Sequence, residues 1–83
     1  MKGHVYILLS QKDHRTYVGS TTDLKRRLDE HNAGKNISTK NRRPFILAYS
    51  EEYDNLIEAR KRELFLKSRS GRRAIQRQFQ ENN

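Results

Sequence analysis

The sequence predicts an α+β fold with its elements in the order ββαβαα, and three observations carry that expectation. Two β-branched and aromatic runs flank a short polar turn. Two helical segments each begin on a capping residue. A proline-led apolar run lies between those helices. His4-Val5-Tyr6-Ile7-Leu8-Leu9 reads as a strand, Gln11 to Arg15 as a turn, and Thr16-Tyr17-Val18-Gly19 as the returning strand of a hairpin. If paired residue numbers sum to an odd value, Tyr6 and Tyr17 share one face while Val5, Ile7 and Val18 pack on the other. Thr22 or Asp23 caps a helix running through Asn32, with Leu24 and Leu28 one turn apart and Gly34 as its left-handed stop. Residues 35–43 are polar, basic and irregular. Pro44-Phe45-Ile46-Leu47-Ala48-Tyr49 reads as a third strand, since proline cannot donate to a ladder and favours a strand's start. Asn55 with Glu58 three residues on starts a helix to about Ser68, and Ser70 begins a shorter one carrying Ile75 and Phe79.

A chain of 83 residues supports one domain, residues 1–83, because so short a polymer has no surface left over for a second core. The absence of cysteine removes disulfides, thiolate metal sites and cysteine nucleophiles together. The longest apolar stretch, Ile7-Leu8-Leu9, is far short of the roughly 20 residues a membrane span needs, and no signal-type segment opens the chain. A soluble, cytoplasmic protein with no membrane partner is expected. The 18 lysines and arginines against 10 acids give a net charge of +8, the footprint of a polyanion binder.

Polar residues interrupt both helical stripes. With Leu24 at zero, Leu28 lies at about 40°, His31 at about −20° and Arg27 at about −60°, so a guanidinium and an imidazole share the leucine face. An inward charge costs free energy unless an anion receives it; the alternative is that Arg27 snorkels outward and His31 caps the helix end. In the second helix, with Leu56 at zero, Glu63 falls at about −20° inside the aliphatic stripe. It can form an i,i+4 pair with Lys67, worth about 0.2–0.5 kcal/mol, or serve as a hard-cation ligand, since Mg²⁺ commonly takes one or two carboxylates plus water and substrate phosphate. Tyr6 and Tyr17 read either as ordinary strand aromatics or as two hydroxyls on one surface.

Taken in order, Val5-Tyr6, Tyr17-Val18-Gly19-Ser20, Leu24, Arg27, Leu28, His31 and Glu63 resemble the GIY-YIG nuclease domain, over roughly residues 4–70. The specificity lies in the combination: an arginine ten residues after the second tyrosine, a histidine four later, and a glutamate on a later helix. The likeness is to the small stand-alone members of a superfamily that also includes nuclease domains of phage homing endonucleases and of the excision-repair incision subunit. His4-Val5-Tyr6 stands where the name-giving pattern has glycine and isoleucine, and Asn82 and Asn83 give no match to the asparagine some members carry late in the domain. The resemblance implies a three-stranded antiparallel sheet flanked by helices, with the five site residues on one concave face. It implies Tyr17 as general base or relay, Tyr6 placing the attacking water, Arg27 holding the scissile phosphate, and His31 tuning or relaying protons for a tyrosine. Glu63 would bind one divalent ion, Mg²⁺ or Mn²⁺, and Gly19 would let the backbone pass close.

The activity implied is a metal-dependent endonuclease cutting DNA phosphodiester bonds in repair or recombination, on damaged, branched or single-stranded substrates. Lys35, Lys40, Arg42 and Arg43 in the irregular segment, and Arg60, Lys67, Arg69, Arg72 and Arg73 along the C-terminal helices, are the expected phosphate contacts. With no separate reading domain, sequence specificity is expected to be low unless a protein partner supplies it. The other readings are a catalytically silent nucleic-acid-binding module on the same fold, and an unrelated basic RNA-associated protein.

Overall fold

A computed structural model describes the backbone of residues 1–81 and the side chains of residues 1–78. Strands β1 (Gly3–Ser10), β2 (Thr16–Thr21) and β3 (Phe45–Tyr53) form one antiparallel sheet in the order β2-β1-β3, with helices α1 (Leu24–Asn32), α2 (Leu56–Lys67) and α3 (Arg69–Glu81). The α+β class and the ββαβαα order hold, with one 3₁₀ turn, Lys40–Arg42, added inside the irregular segment.

The hairpin has the odd-sum register: Tyr6 pairs with Gly19, Ile7 with Val18, and Leu8 with Tyr17. Alternation along the strands then makes two cores. Val5, Ile7 and Val18 pack against Ala59, Leu66 and Ile75 of α2 and α3. Tyr6, Leu8 and Phe45 pack against Tyr17 and against Leu24 and Leu28 of α1. Ser10 ends β1 fully buried. Its hydroxyl accepts from the amides of Lys12 and Asp13 and donates to the Arg42 carbonyl, so turn and loop share one anchor.

Strand β3 is longer than the apolar run suggests because its second half, Ser50 to Tyr53, is polar yet fully laddered to β1. A bulge accounts for its mixed character: Ile7 pairs with Tyr49 but Leu8 with Leu47, leaving Ala48 as the extra residue. One inserted residue swaps faces, so Phe45 looks toward α1 while Tyr49 looks toward α2. Beyond the bulge, the Glu51 carboxylate accepts from Tyr49 and Tyr53 hydroxyls and from Arg62 Nε at 3.0 Å, which fixes the rotation of α2 against the sheet.

Asp23 and Asn55 are the helix caps, accepting from the amides of Arg26 and Glu58. Gly34 has φ +79° just past α1, in the left-handed region where a side chain is strained. Helix α3 starts at Arg69 and, at 13 residues against 12, is longer than α2 rather than shorter; Ser68 is the extended cap between them. The expected core role of Phe79 falls outside the described side chains, and Asn82 and Asn83 lie outside the described residues. No described helix is long and apolar enough to cross a membrane.

Candidate active site

Tyr6 is the centre of the site. Only 2% exposed, it stands opposite Gly19, where a Cβ would come within 2.3 Å of the phenol oxygen, so only glycine leaves the ring its path. Arg27 Nε donates to that oxygen at 3.4 Å, and His31 Nε2 lies 3.1 Å from it. His31 is fully buried, ringed edge-on by Tyr6, Tyr17 and Phe45, and its Nδ1 lies 2.8 Å from the Thr39 hydroxyl. Burial, and then the Arg27 charge, push the imidazole below its ordinary pKa, so it is neutral at pH 7. Burial likewise raises the Tyr6 phenol, outweighing the hydrogen bond and charge of Arg27. Tyr6 is therefore a neutral hydrogen-bonding phenol, not a phenolate.

Arg27 neither snorkels freely nor lies buried. Its side chain is 35% exposed and its second hand is an ion pair with Glu30 at 3.1 Å. Tyr17 is half-buried, its ring edge to His31 with centroids 5.1 Å apart. The Lys67 ammonium sits 5.8 Å from the Tyr17 ring centroid and 2.7 Å from Glu63 Oε2. The other oxygen of Glu63 accepts from the Ser20 hydroxyl at 2.5 Å.

These contacts run without a break from Arg27 through Tyr6, His31, Tyr17 and Lys67 to Glu63, but they do not occupy one face of the sheet. Tyr6 and Tyr17 look toward α1. Ser20, an odd three residues on from Tyr17 along β2, looks toward α2 and meets Glu63 there. The two halves join around β2, which is an edge strand, so no further strand separates them. Beside this edge opens a cleft of about 1110 Å³, lined among others by Arg15, Tyr17, Leu66, Lys67, Arg72 and Ile75.

The chemistry at Glu63 fits a hard divalent ion. The carboxylate offers oxygen donors, is 19% exposed, and already holds one cation in the Lys67 ammonium. Among the described residues no three acidic, histidine or cysteine side chains surround a common centre, so water and substrate would complete the shell of an ion held there.

The expected phosphate contacts divide. Lys35, Lys40, Arg60, Arg69, Arg72 and Arg73 are exposed and form no ion pair with a described side chain. Lys67 is paired with Glu63. Arg42 is committed to Asp13 at 2.9 Å, to the Thr16 carbonyl and to the Phe45 ring, and Arg43 to the carbonyls of Lys40 and Asn32. The last two would have to surrender these contacts to reach a phosphate. Sequence reasoning missed two polar residues, Ser20 and Thr39, that hold Glu63 and His31. Ser20 adjoins Gly19 and carried a hint through the Tyr17-Val18-Gly19-Ser20 run; Thr39 lies in a polar segment with no periodicity to mark it.

Comparison with known proteins gives the family. The model of the GIY-YIG catalytic domain matches residues 2–77. A UPF0213 protein of Staphylococcus haemolyticus is 39% identical over 69 residues, covering 82% of this chain and 84% of that one. A UPF0213 protein of Halobacterium salinarum is 41% identical over 68 residues, covering 81% and 87%. A solution NMR structure of a UPF0213 protein from Bacillus halodurans superposes with a TM-score of 0.53 at 36% identity, over 90% of this chain and 82% of that one. A match that takes in both tyrosine strands, α1 and α2 makes the chain a member of the GIY-YIG catalytic-domain family, a family of nuclease type.

Proposed function

We propose that this protein is a divalent-metal-dependent endonuclease that hydrolyses DNA phosphodiester bonds with low sequence specificity of its own. The observation that carries the reading is the unbroken run of contacts joining a phenol, an imidazole and a guanidinium to a metal-competent carboxylate. Glu63 would hold a divalent ion, which would supply positive charge for the five-coordinate phosphorus transition state. Arg27, partly exposed, gives the phosphate a fixed cation on the opposite flank, and exchanging Glu30 for a phosphate oxygen costs it little. In this reading Tyr6 passes a proton, its oxygen receiving one from the attacking water as its own moves to Nε2 of His31, and the 3.1 Å contact between the two supports it. His31 can accept because burial keeps it neutral, and it returns the proton readily because it is a weak base. Tyr17, the less buried phenol, faces the water and phosphate. Low specificity follows from a basic surface that, among the described residues, carries no element built to read base edges.

A second reading, a binding module without catalysis, draws support from the Lys67–Glu63 pair, which neutralises the carboxylate proposed to hold the metal. Plasmid nicking with Mg²⁺ or Mn²⁺, set beside gel-shift binding, separates the two. Glu63→Ala and Tyr17→Phe are expected to lose cutting and keep binding. Cutting by both variants at the parent rate overturns the nuclease assignment.

A further inference from the structure

Thr39 lies in the irregular segment between α1 and β3, yet it is fully buried and its hydroxyl meets His31 Nδ1 at 2.8 Å. A hydroxyl has one proton and an imidazole at neutral charge has one N–H, so the direction of every bond in this string is fixed by its ends. At one end stands Arg27 Nε, which can only donate, 3.4 Å from the Tyr6 oxygen. At the other stands the Asn36 carbonyl, which can only accept, 3.4 Å from Thr39 Oγ1. Between them the consistent assignment is Tyr6 O–H donating to His31 Nε2 at 3.1 Å and His31 Nδ1–H donating to Thr39 Oγ1. Reversing the middle would crowd two donors on the Tyr6 oxygen and leave the phenol proton without an acceptor, while the Asn36 carbonyl would keep only the Thr39 amide. In a buried site each such loss is expensive.

We propose that Thr39 is a positioning residue that locks His31 in the Nδ1–H tautomer, so that Nε2 presents its lone pair to Tyr6. A valine there, equal in shape, leaves Nδ1–H buried with no acceptor. The proton then moves to Nε2, which donates to the Tyr6 oxygen and can no longer receive from it. The titratable and charged groups facing the ring are Tyr6 from β1, Tyr17 from β2, and Arg27 and Glu30 on α1 itself; Phe45 from β3 and Thr39 carry no charge. None of them offers Nδ1 another acceptor.

Imidazole ¹⁵N spectra of the intact protein above pH 7.5 read the tautomer directly, with His14, exposed in the hairpin turn, as an unlocked reference. The parent is expected to show a protonated Nδ1 and a bare Nε2 at His31, Thr39→Val an inverted or mixed pattern, and Thr39→Ser the parent pattern. A parent spectrum with Nε2 protonated, or a folded Thr39→Val with an unchanged ring, overturns the proposal. If Thr39→Val does not fold, the parent and Thr39→Ser spectra decide. The consequence for cutting rests on the nuclease reading: Thr39→Val is expected to lower kcat about tenfold at unchanged KM, with Thr39→Ser close to the parent. A parent that does not cut defeats the nuclease reading and leaves the spectra to judge the tautomer lock alone.

Discussion

Lys67 Nζ lies 2.7 Å from Glu63 Oε2 and 5.8 Å from the Tyr17 ring centroid, so one ammonium bridges the two flanks of the site. A divalent ion entering at Glu63 has to displace or share with that charge. Lys67→Met is therefore expected to tighten Mn²⁺ binding severalfold in a calorimetric titration while weakening DNA binding, because the same side chain is a proposed phosphate contact. Mn²⁺ affinity that falls in Lys67→Met would contradict the competition.

Gly19 and Tyr6 are cross-strand partners, and a Cβ at position 19 would meet the phenol oxygen at 2.3 Å. Alanine ordinarily improves a strand interior. Here Gly19→Ala is expected to destabilise by about 1–3 kcal/mol through overpacking, and to break the Tyr6 bonds to Arg27 and His31. Chemical denaturation checks the sign, and a stabilised Gly19→Ala would refute the close approach.

The buried pair sets a pH window. His31 titrates below its unfolded value of 6.5, so between the two the unfolded chain binds more protons, and stability falls as pH drops below about 6.5. Tyr6, Tyr49 and Tyr53 titrate above 10.0, so their contribution is intact below that and is lost as pH rises past it. Thermal melts from pH 5 to 11 should show a plateau between these limits. An NMR titration that puts His31 at or above 6.5 would rule out its neutral, buried role.

Six exposed cations form no ion pair with a described side chain: Lys35, Lys40, Arg60, Arg69, Arg72 and Arg73. If each meets a phosphate, log K for duplex DNA falls by about 5 per log unit of salt. Arg60→Ala should reduce that slope by about 1, and a slope near zero in the parent would dismiss the basic surface as a binding face.

Much of this architecture was legible in the sequence because it is local. Strand alternation placed Tyr6 with Tyr17, and Asp23 and Asn55 announced their helices through cap chemistry. The odd polar residue on an apolar stripe marked Arg27, His31 and Glu63. What was hidden depends on contacts distant in the chain. Glu51 and its tyrosines draw β3 onward through polar residues, Ala48 flips the strand's faces through a bulge, and Arg42 looks like a phosphate ligand until Asp13 folds back onto it. Thr39 shows nothing by periodicity; only the closed fold brings it to His31.

Hydrolysis of a DNA strand, with Glu63 as the proposed metal ligand and Tyr6, His31 and Arg27 on the other flank, is tested most directly by the chemistry of the ends. Supercoiled plasmid incubated with the parent protein and Mn²⁺ is expected to become nicked circles that DNA ligase reseals, with no nicking in EDTA or with Glu63→Ala. Plasmid left supercoiled by the folded parent at every Mn²⁺ and Mg²⁺ concentration, or nicked equally by Glu63→Ala, would contradict it.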